Sequence, residues 1–327
     1  MSKILCVGGG GYVGTSLIEY LLAQGEGVRC LDCFVYRNND SVADFLKHPR
    51  FELIKGDFCQ KSTLEKAAEG VSDVVFLAGL VGDPITKKYP EESRLINEEG
   101  VHQALLQLAC LKIRRLVFIS TCSNYGLIPE NEVADETYPL RPLSAYARAK
   151  VSAEELLISK QKQIPYEFCI LRFATAFGIS RRMRFDLTVS EFTRQIAAGE
   201  TLRVFDPDTW RPYCHLKDFA TLINLALKAP REKVHRQIFN AGGDCNNATK
   251  RQIVDLILKR VKNGKVEYQL EGGDPRNYRV NFRKIKTSLG FEPSVTIQQG
   301  IEELLQVLKD DKYTSWSLGN YDLFYPN

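Results

Sequence analysis

No run in this 327-residue chain reaches the roughly 18 consecutive apolar residues that a membrane-spanning helix needs, so no membrane span is expected. A charge excess is missing too. The net +4 is small and dispersed, which argues against nucleic acid as a partner, and the one local cluster, Arg181, Arg182 and Arg184, suits a small anionic ligand better. Nothing like a secretory signal opens the chain, and its nine cysteines are odd in number and lie mostly in apolar segments, as Cys6, Cys110 and Cys169 do. They are expected to be reduced core residues of a cytoplasmic protein rather than a disulfide framework. Cys30 and Cys33 form a C-x-x-C, yet no second ligand pair accompanies it, so no metal is expected. Repeats, low-complexity tracts and flexible linkers are also absent. What remains, 44% apolar and 26% charged residues over this length, is enough for a substantial core.

The most informative segment runs from Ile4 to Gly14, where an apolar strand enters glycines spaced G-x-x-G-x-x-G at Gly8, Gly11 and Gly14. Side chains there would hold a pyrophosphate away from the main chain. Gly8 permits a tight turn, Gly11 permits close backbone approach, and Gly14 lets the following helix pack on the strand. The helix that opens through Tyr12 and Val13 offers free N–H groups and the positive end of its dipole to phosphate. A second apolar stretch ends in Asp32, 18 residues past Gly14, where a carboxylate accepts hydrogen bonds from adenosine ribose hydroxyls and repels a 2′-phosphate. NAD(H) is therefore expected over NADP(H), with Arg37 just beyond as the residue that pulls the other way.

Apolar runs at 3–8, 27–31, 51–55, 73–78, 114–120 and 166–172 alternate with helical patterns near 12–24, 62–69, 91–110 and 144–161. Short runs bounded by glycine or polar residues are those of strands buried on both faces, so the fold class expected is α/β: a Rossmann-type doubly wound parallel sheet. After residue 175 the rhythm breaks. An arginine-rich loop, a helix near 186–198, a strand at 202–205 and a helix at 216–228 lead into mixed short elements, read as a smaller α/β substrate lobe. The expected division is 1–174 and 175–327, with about 215–242 returning to the first unit. The tail from Asp311 onward is polar and aromatic, with no reading of what it packs against.

Tyr146 and Lys150 stand four apart at the start of a helix and so project from one face. A free phenol titrates near ~10, and acting as a base near neutrality requires about 4 kcal/mol of phenolate stabilisation. A neighbouring ammonium and a positive nicotinamide act in that direction. Upstream lies a hydroxyl-rich strand end, Ser120-Thr121-Cys122-Ser123.

Together these residues resemble the extended branch of the short-chain dehydrogenase/reductase superfamily, its nucleotide-sugar epimerases and dehydratases, over nearly the whole chain. The resemblance implies that Gly8, Gly11, Tyr12, Val13, Gly14 and Asp32 hold NAD, that Asp57 and Phe58 touch adenine, and that Leu77, Ala78 and Gly79 lie along the cofactor, Gly79 standing where alanine is more usual. Asn97 matches a structural asparagine behind the site. Thr121, Tyr146 and Lys150 are implied as the catalytic triad. On the substrate side the resemblance implies Ser123 at the sugar, Asp186, Leu187 and Phe205 along the nucleotide base, and Arg211 and Arg276 on the diphosphate. Arg184 and Arg279 are open between substrate contact and solvated surface charge, while His215 is expected to cap or pack the helix after it.

The resembling dehydratases carry Asp-Glu directly after the catalytic threonine, and the decarboxylases carry a glutamate two residues after it. Here Cys122 and Ser123 occupy those places, which disfavours elimination and decarboxylation. The expected reaction is a nucleotide-sugar 4-epimerisation through a transient 4-keto sugar with no net redox change. The runner-up is an NAD(P)H-dependent 4-ketoreductase, and a 3,5-epimerase/reductase ranks third because Cys122 is one position out of register. A non-catalytic NAD-binding member of the fold is a further alternative. A homodimer is expected through helices 91–110 and 144–161, whose Val101, Leu105, Leu108, Ala109, Ala149, Ala153, Leu156 and Leu157 exceed one core-facing stripe.

Overall fold

A computed structural model describes residues 3–270, 276–309 and 322–323, so most of the C-terminal tail lies outside the described residues. Its strands are β1 (Lys3–Val7), β2 (Gly27–Asp32), β3 (Phe51–Lys55), β4 (Val71–Phe76), β5 (Arg115–Thr121), β6 (Glu167–Phe173), β7 (Thr175–Phe177), β8 (Thr201–Phe205), β9 (Trp210–His215), β10 (Gln237–Ala241), β11 (Asn247–Thr249) and β12 (Lys265–Gln269). Seven of them form one sheet in the order β10-β6-β5-β4-β1-β2-β3. Every pairing in it is parallel, with Cys6 opposite Cys30 on one side and Val75 on the other.

Burial on both faces explains the unbroken apolar runs. Along β1, Ile4 and Cys6 join a core with Leu17, Ile18 and Phe219, while Leu5 and Val7 join another with Val101, Leu105 and Leu157. The strand order reverses direction at the β1/β4 junction, and the crevice beyond those carboxyl ends is where such sheets bind ligands. Smaller sheets, β11-β9-β7 and β12-β8, gather around a third core that includes Phe177, Phe192, Val204 and Ile257.

Two expectations take their detail from the structure. The helical pattern read near 91–110 is one helical run from Pro90 to Leu108, α-helical at Pro90–Arg94, π-helical at Leu95–Gly100 and α-helical again at Val101–Leu108. Within the wide turn Asn97 is buried and clasps Leu80, accepting from its N–H at 2.6 Å and donating to its carbonyl at 2.9 Å. The residues whose apolarity suggested a dimer face lie mostly inward: Val101, Leu105, Leu108, Ala153 and Leu157 belong to the core on one face of the sheet, Ala109 and Leu156 pack at the edge of that core, and Ala149 is buried. The outward face retains Leu95 and Leu106. Among the described residues no helix is long and apolar enough to cross a membrane.

Candidate active site

A cavity of about 850 Å³ opens over the carboxyl ends of β1, β2, β4 and β5. Its first wall is the glycine loop. Gly8 has φ +82°, and a Cβ there would lie 2.7 Å from the main chain of Ala78. At Gly14 a Cβ would meet the Gly9 carbonyl at 2.6 Å, so helix Tyr12–Ala23 approaches the strand as closely as it does only without a side chain. Gly11 is the helix N-cap and offers no capping side chain, leaving the first-turn amides for a ligand.

Asp32 ends β2 at this wall. One carboxylate oxygen accepts from Gly10 N at 2.9 Å and the other from Phe34 N at 2.7 Å. Burial pushes its pKa up, while those two amides and the nearby Arg182 guanidinium pull it down. The Gly10 carbonyl in turn accepts from Asn38 at 2.6 Å and Ser41 at 3.0 Å, so the segment after β2 clamps the glycine loop. Asp57, Phe58, Leu77, Ala78 and Gly79 complete this end of the cavity. Gly79 has φ +141° and a Cβ there would stand 2.7 Å from Asn97 Oδ1, which accounts for glycine at this position.

At the β5 end, Thr121 closes the strand and its hydroxyl accepts from Ser123 N at 3.1 Å. Helix Ala145–Ser159, capped by the Ser144 hydroxyl, brings half-buried Tyr146 and buried Lys150 to the same cavity. Lys150 Nζ donates to the Ile119 carbonyl at 2.8 Å and lies 5.9 Å from the Tyr146 ring centre. Burial lowers the Lys150 pKa to about 8, against the pull of the Glu154 carboxylate. Ser123 Oγ lies 3.2 Å from the hydroxyl of Tyr278, a buried residue that also lines the cavity.

The arginines reach the cavity from the other side. Arg211, buried in β9, donates to the Trp210 carbonyl at 2.8 Å and lies 4.9 Å over the Tyr278 ring. Arg184 is buried and grips Asp186 through two bonds at 3.1 and 2.5 Å, so both are lining residues and neither is solvated surface charge. Arg182 is buried as well, 4.8 Å over Tyr36, and burial together with Arg184 lowers its pKa to about 10. Leu187 and Arg276 line the cavity, whereas Arg279 stacks 4.5 Å over Trp210 outside the lining.

Residues 4–242 match the sequence profile of the NAD dependent epimerase/dehydratase family. The chain belongs to that family. It is thereby an NAD-dependent enzyme of the extended short-chain dehydrogenase type. UDP-glucuronic acid decarboxylase 1 of Danio rerio is 27% identical over 316 residues, 93% of this chain and 72% of that protein. UDP-glucuronic acid 4-epimerase from Bacillus cereus, solved with UDP-glucuronic acid and NAD, matches with a TM-score of 0.85 and 24% identity, over 94% of this chain and 99% of the other. dTDP-glucose 4,6-dehydratase from Streptomyces venezuelae, solved with NAD and TYD, also reaches 0.85 at 23% identity, over 95% and 98% of the two chains. At such identities the two structures speak for the fold alone.

The cavity of this family member fits NAD: the cradle at Gly8 has no room for a Cβ, the first helical turn is uncapped, and Asp32 lies within reach. Of the residues assigned to a ligand by the resemblance, Phe205 lies outside the lining, as do Arg37 and Arg279. Phe205 ends β8 on the exposed phase of an alternating strand, while Leu202 and Val204 take the inward positions. His215 caps helix Leu216–Lys228, its Nδ1 accepting from Lys217 N at 3.2 Å, and its Nε2 lies 2.8 Å from Glu303. Sequence reasoning missed Tyr278 and Tyr36 as lining residues, while Arg182 and Arg184, read as part of a cluster suited to a small anion, do line the cavity. Tyr278 follows Arg276 by two positions and was legible as its neighbour; nothing local marks Tyr36.

Proposed function

We propose that the protein is an NAD-dependent nucleotide-sugar 4-epimerase. When bound, NAD supplies the hydride acceptor and donor for a transient oxidation at carbon 4. The Tyr146 hydroxyl takes the proton of the sugar 4-hydroxyl and later returns it, Thr121 orients that hydroxyl, and Lys150 favours the phenolate. The Ser123 and Tyr278 hydroxyls hold the sugar while its keto form turns over, and Arg211 and Arg276 take the diphosphate.

One observation carries this reading against elimination and decarboxylation. Among the described lining residues the carboxylates are Asp32, Asp57 and Asp186, and none stands beside Thr121 and Tyr146. The first two flank the glycine-loop end and the third is held by Arg184. Cys122 is no substitute. It is buried, its thiol donates to the Arg172 carbonyl at 3.1 Å, and burial holds its pKa far above neutrality. The test is incubation with UDP-, dTDP-, GDP- and CDP-hexoses and uronates, followed by chromatography and mass analysis. A 4-epimer of unchanged mass with no accumulation of NADH is expected, and loss of water or carbon dioxide from the substrate would reject the epimerase.

A second reading is a 4-ketoreductase, supported by Arg182, which offsets the Asp32 charge and would ease a 2′-phosphate into the site. Cofactor titration separates the two. Apo protein is expected to bind NAD⁺ more tightly than NADP⁺ because a 2′-phosphate meets the Asp32 carboxylate. Tighter NADP⁺ binding would move the reductase to first place.

We further infer a cytoplasmic homodimer. The nine unbridged cysteines suit a reducing compartment, and Leu95 and Leu106 remain exposed on the helical segment beside Ala145–Ser159. Light scattering at micromolar concentration is expected to give twice the chain mass. A monomer at that concentration overturns the dimer.

A further inference from the structure

Helix Ala145–Ser159 carries Tyr146, Lys150 and Glu154 at four-residue spacing, so the three side chains share one face. Glu154 is 3% exposed and has no part in the chemistry assigned above. Its Oε1 accepts from Ser120 Oγ at 2.5 Å and from Asn124 Nδ2 at 2.9 Å. Arg172, buried at the end of β6, brings Nε to 3.2 and 3.1 Å of the two carboxylate oxygens and its terminal Nη2 to 2.7 Å of Oε2. The carboxylate thus draws together the catalytic helix, the end of β5 and the end of β6.

The places where the helix is fastened matter more than their number. Lys150 holds the carbonyl of Ile119, Glu154 holds the hydroxyl of Ser120, and the next residue is Thr121. Sliding or tilting the helix would have to break both contacts, so they set where Tyr146 stands relative to Thr121. The charge matters as well. Lys150 is buried against Phe118 with a carbonyl as its acceptor, and the nearest carboxylate on its own helix is Glu154. From β6 the facing charge is Arg172. From the turn after β5 come Cys122 and the hydroxyl of Tyr125, which accepts from Arg172 at 3.0 Å and donates to Asn240 at 2.6 Å. Glu136, with Lys284 behind it, lies on the far side of Arg172 and takes its Nη1 on the backbone carbonyl at 3.3 Å.

We propose that Glu154 is a positioning residue for the reaction: its carboxylate pins the helix bearing Tyr146 and Lys150 to the strand end bearing Thr121, and its charge keeps Lys150 an ammonium ion. The proposal rests on the roles given above to Tyr146 and Lys150. A neutral amide at 154 removes the carboxylate and leaves the Arg172 cation uncompensated, and both changes favour the amine form of Lys150. Lys150 then loses its proton at lower pH.

The test combines two readouts. The first needs no substrate: apo protein is labelled with acetic anhydride across a pH series, and acetylation of Lys150 is followed by peptide mass analysis. Glu154→Gln is expected to move the labelling midpoint down by about one pH unit. Glu154→Asp, which keeps the charge but shortens the reach, is expected to leave it in place. The second readout is turnover of the nucleotide sugar the parent accepts. Both variants are expected to lose tenfold or more in kcat with KM little changed, and only Glu154→Gln is expected to shift the alkaline limb of the pH profile downward. Ser120→Ala removes one fastening without touching the ion pair and keeps the test open if Glu154→Gln does not fold; a several-fold loss in kcat with the limb unmoved is expected. Parent-like labelling and turnover within twofold in Glu154→Gln, or unchanged turnover in Ser120→Ala, overturns the proposal. A moved labelling midpoint in a protein whose parent turns over no nucleotide sugar rejects the reaction assignment while the coupling of Glu154 to Lys150 stands.

Discussion

Tyr146→Phe is expected to lower turnover by about 10²–10⁴-fold while NAD affinity stays within about twofold of the parent, because it removes the acid/base hydroxyl and keeps the ring. The ring it leaves behind still fills the half-buried site at the cavity edge. Lys150 keeps its bond to the Ile119 carbonyl at 2.8 Å, and the helix keeps its Ser144 cap. The contacts that seat the helix therefore stay in place. The parent should also lose activity as pH rises through about 8, where the buried Lys150 gives up the proton that favours the phenolate. Steady-state rates across pH for the parent, together with calorimetric NAD titration of both proteins, check this. Activity within a few-fold of the parent would remove Tyr146 from the mechanism.

Arg211→Ala carries the second large effect. The guanidinium is buried, bonded to the Trp210 carbonyl at 2.8 Å and stacked on Tyr278, and the strand beneath it is held in turn. Trp210 N donates to Asn277 Oδ1 at 2.8 Å and Tyr278 N donates to the Trp210 carbonyl at 3.1 Å. Ordering of the arginine is thus part of folding rather than of binding, and most of the charge-assisted contact is available to a diphosphate. Its loss is expected to cost roughly 1.5–3 kcal/mol, about 10- to 150-fold in affinity, seen as raised KM for the nucleotide sugar with NAD affinity unchanged. Calorimetry of Arg211→Ala and Arg276→Ala against UDP, GDP, CDP and dTDP measures it. If neither substitution weakens any of the four, or the parent binds none, the proposed substrate class fails and the NAD-dependent family assignment is what remains.

The features legible in the amino-acid order were those whose cause is local. Glycine spacing after a strand dictates a backbone path with no room for Cβ atoms, and the structure places those glycines where a Cβ at Gly8 or Gly14 would meet main chain below 3 Å. Runs of apolar residues bounded by turn formers became the strands of the main sheet, within a residue or two of their expected ends, those in its middle buried on both faces and the edge strand β3 only in part. A spacing of four put Tyr146 and Lys150 on one face because a helix turns once in about 3.6 residues.

Facing and pairing across distance were decided only when the chain closed on itself. Nothing in Val204-Phe205 says which of the two points inward; the core that includes Phe192 and Ile257 took Val204 and left Phe205 outside. The π-helical widening at Leu95–Gly100 goes with the reach of Asn97 to Leu80, a partner outside that helix. Arg184 reads as surface charge until Asp186 is seen buried beside it. Tyr278 meets Ser123 across 155 residues because the stretch carrying it bridges to Leu127 and Ala134 just beyond β5. Backbone sterics and helical or strand period act over a few residues and can be read one segment at a time. Which side chains share a cavity depends on how layers stack, and that is a property of the whole packed chain.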